Sequence, residues 1–266
     1  MDKTSIIGLL LGIIAIGLGI SIKGVSLISL VNPAAFLIIF IGTAASVLIA
    51  FPVRAIKKIP RLLKIIFTEE KNTDIKQVIR QFTNWAELSR REGLLALESQ
   101  IEEIDDPFLH SGLQLAIDGQ TPDFIREVLL EKIDAMEKRH EEGAAIFSQA
   151  GTYAPTLGVL GAVIGLIAAL GNMENMEVLG SAISAAFIAT LFGIFSGYVL
   201  WHPFANKLKE KSKNEAKMKS IMVEGILSLT TGDSPVVIKD KLSSYLSTEE
   251  IMELEQEEKN ETEETG

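Results

Sequence analysis

The run Gly151-Thr152-Tyr153-Ala154-Pro155-Thr156-Leu157-Gly158-Val159-Leu160-Gly161-Ala162-Val163-Ile164-Gly165-Leu166-Ile167-Ala168-Ala169-Leu170 carries no charged residue. A helix crossing about 30 Å of hydrocarbon needs about 20 mostly apolar residues, so this stretch reads as a membrane span. Three other segments have the same character, at about residues 4–22, 33–51 and 178–201, and none of them holds a charge. The first of these is short enough to resemble a secretion signal. However, Asp2 dilutes its basic flank and no small-residue cleavage site follows, so it reads as a retained span. The expected fold class is therefore all-α: a polytopic inner-membrane protein with four transmembrane helices and a helical cytoplasmic domain.

The composition agrees. Charged residues are 23% of the 266, yet mean hydropathy is positive, which requires polar and apolar residues to be segregated along the chain. There is no cysteine, which removes a disulfide framework, a thiolate metal site and a cysteine nucleophile. His110, His140 and His202 lie far apart, and His140-Glu141-Glu142 has Ala144 where a zinc-binding helix would carry its second histidine. No phosphate-binding glycine loop or nucleophile elbow is present, so no enzyme, metal or cofactor is expected. The net charge of −10 is local. Residues 247–266 hold nine Glu against one Lys. This acidic balance argues against nucleic acid as a partner, and a stretch of that composition is expected to be disordered.

Orientation follows from the cations beside the spans. Arg54, Lys57, Lys58, Arg61 and Lys64 follow the second, and Lys207, Lys209, Lys211, Lys213, Lys217 and Lys219 follow the fourth, whereas the two opposite loops offer only Lys23. Both termini and the 52–150 segment are thus expected in the cytoplasm. That segment is helical in pattern. Asp106-Pro107 and Thr121-Pro122 each place a capping oxygen before a proline at the first helical position. After Pro122, Phe124, Ile125, Val128, Leu129, Ile133 and Met136 recur at helical spacing. The expected divisions are 1–51 for the first two spans, 52–150 for the cytoplasmic domain, 151–202 for the last two spans, 203–246 for a second cytoplasmic helical segment, and 247–266 for the tail.

The third and fourth spans differ from the first two. Gly158, Gly161 and Gly165 share one side of the third, and Ser181, Ser184, Ala185, Ala189, Gly193, Ser196 and Gly197 stud the fourth. Small residues let helix backbones approach closely in lipid. The bulkier first and second spans are expected to be peripheral and lipid-facing. The third and fourth are expected either to face a partner or pore, or to pack tightly within one four-helix bundle; on pattern alone these readings stand level. An interior proline costs about 3 kcal/mol in a helix, so Pro155 is expected to kink the third span and Pro203 to bend or end the fourth. Ion pathways normally hold an ionisable group at membrane depth. Here the spans offer only Thr156, Thr190, several serines, Tyr153 and Tyr198. If the chain helps to carry an ion, a partner must supply the titrating group.

The sequence resembles the MotA family of flagellar stator subunits. The resemblance rests on Ser89-Arg90-Arg91-Glu92-Gly93-Leu94-Leu95-Ala96-Leu97-Glu98, on the 151–170 run, and on Ala189-Thr190-Leu191-Phe192-Gly193 through to Pro203. It covers the chain to about Tyr245. The related TolQ and ExbB proteins have a single span before the cytoplasmic part, and the extra span here favours MotA.

The resemblance implies a ring of copies of this chain around a dimer of a MotB-type subunit, whose single span carries the missing aspartate. It implies torque on the flagellar rotor switch protein, with membrane lipid outside the ring. It carries the family's coupling prolines onto Pro155 and Pro203, and its rotor-contacting charges onto Arg90 and Glu98. Sodium-using members resemble Gly-Thr-Leu-Ile-Gly where this chain has Gly161-Ala162-Val163-Ile164-Gly165. With no hydroxyl at Ala162, and with Thr156 and Thr190 as the remaining pathway hydroxyls, the expected ion is H+ rather than Na+. The alternatives are a sodium-coupled member of the same family and an energy transducer of the TolQ/ExbB kind.

Overall fold

The computed structural model describes residues 2–24, 27–69, 74–102 and 104–264. Helix starts are fixed by short polar side chains. Asn32, Asp106, Thr121 and Ser234 each accept a backbone N–H of the first turn, and each is followed by proline at the first helical position. The proline lacks the N–H that such a start leaves unpaired. Asp2, Asp74 and Asn175 cap three further helices without a proline. Among the described residues there is no strand.

Among the described residues, four helices are long and apolar enough to cross a membrane: Lys3–Ile22, Pro33–Ala50, Pro122–Leu170 and Met176–Thr230. The last two correct the sequence-based boundaries. The third span and the charged helix before it are one 49-residue element, and Pro203 does not end the fourth, which runs on to Thr230. The reason lies just upstream, where Ser196–Trp201 forms a π turn. A proline cannot donate to the carbonyl four residues back, and its ring crowds that group. A widened turn immediately before Pro203 relieves both, with the His202 N–H donating to the Gly197 carbonyl. A second π turn, Leu37–Ile41, lies in the second span.

The chain divides into two compact units, residues 1–70 with 139–211 and residues 71–138 with 212–266. This differs from the expected divisions at 52, 150 and 203. Ile66, Ala144, Phe147, Ala205 and Leu208 form a buried cluster with Trp201 and Phe204 against it, while Val47, Ala55, Ile146 and Ala150 form another. The apolar packing of the spans therefore continues beyond the charge-free segments. In this first unit no residue of Lys3–Ile22 is buried. The Pro33–Ala50 helix buries Ala35, Ile39, Thr43 and Val47, one face at four-residue spacing, and leaves Phe36, Leu37, Ile41, Leu48 and Ile49 exposed. Asp2 is buried and forms an ion pair with Lys207 at 2.5 Å, and its backbone N–H donates to the Phe67 carbonyl at 2.9 Å. The Lys207 hydrogen bond holds the Asp2 carboxyl well below the usual carboxylate range. Lys211 donates to the Ile65 and Thr68 carbonyls. The start of the first span and the stretches after the second and fourth thus meet at one corner, as an even number of crossings requires.

The second unit is built around Ile79, Phe82, Leu97, Leu113, Ile125, Leu129, Ile221, Ile226, Ile238 and Leu242, all fully buried. The helix Ile75–Glu92 contributes Val78, Ile79, Phe82, Trp85 and Ala86 at helical spacing, and ends at Gly93 with φ +86°, a conformation that favours glycine. The acidic tail corrects the expectation of disorder, because Thr248–Glu264 is a helix. Ser247 and Glu250 form a reciprocal capping box, Leu254 is 1% exposed in the core, and Lys76 pairs with Glu253 and Glu257 at 2.7 and 3.1 Å. Bulk composition hides this, since one leucine and one cap suffice to dock the helix start.

Leu254→Ala should remove the tail's apolar anchor at a cost of about 2–5 kcal/mol. Hydrogen exchange should then show lost protection in the tail helix, with Phe82 and its neighbours still protected. The Ser247 backbone N–H lowers the Glu250 carboxyl and the Lys76 ammonium lowers Glu257. Their contribution is therefore complete above the ordinary glutamate value of 4.5 and is lost as pH falls through the lower folded values. Wild-type tail protection should hold at neutral pH and fade only in acid.

Candidate functional site

The third and fourth spans touch backbone to backbone. A methyl group on Gly158 would stand 2.9 Å from both the Ala189 carbonyl oxygen and the Gly193 Cα, and one on Gly193 would stand 2.7 Å from the Gly158 Cα. The seam extends both ways, with Gly161 on Ala189, Gly165 on Ala186, Gly197 on the Pro155 ring and Gly151 on the His202 ring. These glycines are therefore consumed in packing within the chain, which is the bundle reading of the pattern. What the third span leaves open is a different face, on which Thr152, Thr156, Val159, Val163, Ile167 and Leu170 are exposed.

The seam fixes the register of the candidate pathway residues. With Gly161 against Ala189 and Gly158 against Gly193 on an antiparallel helix, Ala162 stands within half a turn, about 3 Å, of the height of Thr190. Thr156 lies six positions away, about 9 Å along the axis, toward Pro155. Both threonines give their hydroxyl proton to their own helix, Thr156 to the Thr152 carbonyl at 3.2 Å and Thr190 to the Ala186 carbonyl at 3.3 Å. Their oxygens keep lone pairs free to accept. Pro155 lies inside an unbroken helix and packs on Gly197 within the π turn. Pro203 follows that turn and is exposed. The two prolines thus bracket one widened turn, an element that sequence reasoning missed; the signal for it was a small residue, Gly197, six positions before a proline.

Arg90 and Glu98 belong to the second unit, Arg90 in the last turn of Ile75–Glu92 and Glu98 just past Gly93 and a 3-10 turn. Both are exposed. Neither makes an ion pair or side-chain hydrogen bond among the described residues. Trp201 stacks on Phe147 at 6.3 Å and buries its indole N–H without a partner among the described residues. Tyr198 remains exposed. The Thr43 hydroxyl in the second span is likewise buried and, among the described residues, unpaired. Among the described residues no three His, Cys, Asp or Glu side chains converge as a metal site.

Residues 100–221 match the MotA/TolQ/ExbB proton channel family. Motility protein A of Bacillus subtilis (strain 168) is 60% identical over 246 residues, which is 92% of this chain and 91% of that protein. The chain belongs to the MotA/TolQ/ExbB proton channel family. Among solved structures, the flagellar MotAB stator complex of Bacillus subtilis contains a chain that superposes with a TM-score of 0.90 at 58% identity, covering 95% of this chain and 99% of that one. MotAB of C. jejuni gives 0.88 at 31% identity, covering 93% and 97%. With four membrane-capable helices among its described residues, this member of the MotA/TolQ/ExbB family is a multi-pass membrane protein. The family is one of channel and stator subunits, not of known enzymes.

Because the seam has no room for a side chain at Gly193, Gly193→Val should destabilise the span pair by about 1–3 kcal/mol or more. The purified assembly should lose thermal stability accordingly. Gly180→Val, where nothing lies within 4 Å of an added Cβ, should change little.

Proposed function

We propose that this chain is the A-type stator subunit of a bacterial flagellar motor, converting ion flow into torque together with a MotB-type partner. The observation that carries the reading is a division of chemistry. The four spans hold no Asp, Glu, Lys or Arg in their charge-free segments, and the two that pack through glycine leave an open threonine-bearing face rather than an acid. An ion path through them needs a carboxylate from elsewhere. A partner's single span carrying an aspartate supplies it, with several copies of this chain ringed around the partner. A charge at the bilayer centre costs about 2.5–3.5 kcal/mol on insertion scales, so protonating that aspartate relieves a large penalty. The transmembrane potential drives each charge by about 2.3 kcal/mol per 100 mV.

The ion in this reading is H+. Ala162 offers no oxygen beside Thr190, and the Thr190 proton is already given to its own helix. A sodium ion needs several oxygen ligands, whereas a proton needs one carboxylate and a water path. Pro155 and Pro203 flank the π turn, and such turns are frequent at functional sites. It is the element through which a change at the aspartate would reach the cytoplasmic side. Arg90 and Glu98, exposed and without an ion-pair partner among the described residues, meet charges on the rotor switch protein. The flanking cations support a cytoplasmic location for both termini.

Deleting the gene should abolish swimming while filaments still assemble. Swimming restored by the wild-type gene should collapse with a protonophore and persist without sodium. The opposite ion dependence would assign sodium coupling, with Ala162→Thr as the companion variant. Envelope or uptake defects in place of motility loss would favour a TolQ/ExbB-type transducer. Arg90→Glu and Glu98→Lys should each impair swimming with the protein still in the membrane; unchanged swimming in both would overturn the rotor contact.

A further inference from the structure

After the second span the chain turns into two short helices, Val53–Ile56 and Ile59–Phe67, joined by Lys57 and Lys58 in near-helical conformation. Their apolar side is taken up: Ala55 and Ile66 are buried and Ile59, Leu62 and Leu63 pack on the same clusters. Their other side carries Arg54, Lys57, Arg61 and Lys64, all exposed. The spacing of three, four and three places these four on one helical stripe. The charged group of none of the four makes an ion pair or hydrogen bond among the described residues, whereas Lys58, off the stripe, pairs with Glu142.

Two features point to what covers the stripe. It begins at the end of a span, three residues past Phe51, and the apolar groups beside it are bare: Ile49 is 88% and Val53 70% exposed. Cations interleaved with exposed aliphatic side chains at the end of a hydrocarbon-length helix match the boundary between acyl chains and headgroups. A soluble acidic partner would leave Ile49 and Val53 in water. We propose that Arg54, Lys57, Arg61 and Lys64 form a docking surface for the phosphates of anionic phospholipids in the adjoining leaflet. The surface holds whichever ion the stator carries, and its test does not depend on motility.

The test uses the full-length chain purified with its co-expressed partner subunit and reconstituted in nanodiscs of mixed phosphatidylglycerol and phosphatidylcholine. Mass spectrometry then counts the lipids retained on extraction. Wild type should enrich phosphatidylglycerol. Arg61→Gln should lower the enrichment by up to about fivefold, the worth of one cation near an anionic surface. The four-site glutamine variant should show no preference, and Arg54→Lys with Arg61→Lys should keep it. Should the four-site variant fail to accumulate, the wild-type preference must still fade between about 0.1 and about 1 M salt, as screening demands. Absence of a preference in wild type, or of any salt dependence, overturns the proposal. So does loss of ring subunits in the variant with lipid selectivity intact, which would assign the stripe to a neighbouring copy of the chain.

Discussion

Contact between two bare backbones governs the membrane part of this protein. Where Gly158 lies on Gly193, no side chain intervenes, and the third and fourth spans approach as closely as helices can. In lipid there is no hydrophobic drive for helices to associate, so packing of this kind and interhelical hydrogen bonding must do it. The seam sets the height of every residue on both helices, which is why Ala162 and Thr190 lie within half a turn of one level and why Pro155 meets Gly197. It also accounts for the absence of ionisable groups: a charge has no place in a contact without space, and the remaining face is free to receive one from outside the chain.

Much of this was legible in the sequence. Charge-free runs of span length, lysines after the second and fourth, and capping residues before prolines are direct consequences of bilayer thickness, insertion bias and unpaired helix N–H groups. The family could be read because Arg90, Glu98, Pro155 and Pro203 sit in extended matching runs. The use of the glycines was not legible. Gly158, Gly161 and Gly165 make a close approach possible without saying which helix comes close, and only the register with Ala186, Ala189 and Gly193 decides it.

Two other departures from the sequence expectation share one origin, a local feature that overrides an average tendency. Proline in an α-helix is costly on average, yet the π turn before Pro203 lets the fourth helix continue. An acidic, aromatic-free tail fails to fold on average, yet Ser247, Glu250 and Leu254 dock its helix beside Lys76.

The π turn also makes chain length in the fourth helix a fixed dimension. It is in effect one surplus residue, since about five residues of a wide turn cover about the angle and rise of four in an α turn. A deletion inside Ser196–Trp201 would therefore keep Ala205 and Leu208 near Phe147 and Lys207 near Asp2, but it would set the Pro203 ring back against the carbonyl four residues before it. A deletion elsewhere in the helix before Lys207 has no surplus to draw on. The residues beyond it would turn by about 100° and draw back by about 1.5 Å, unthreading the corner that ties Asp2 to the last span.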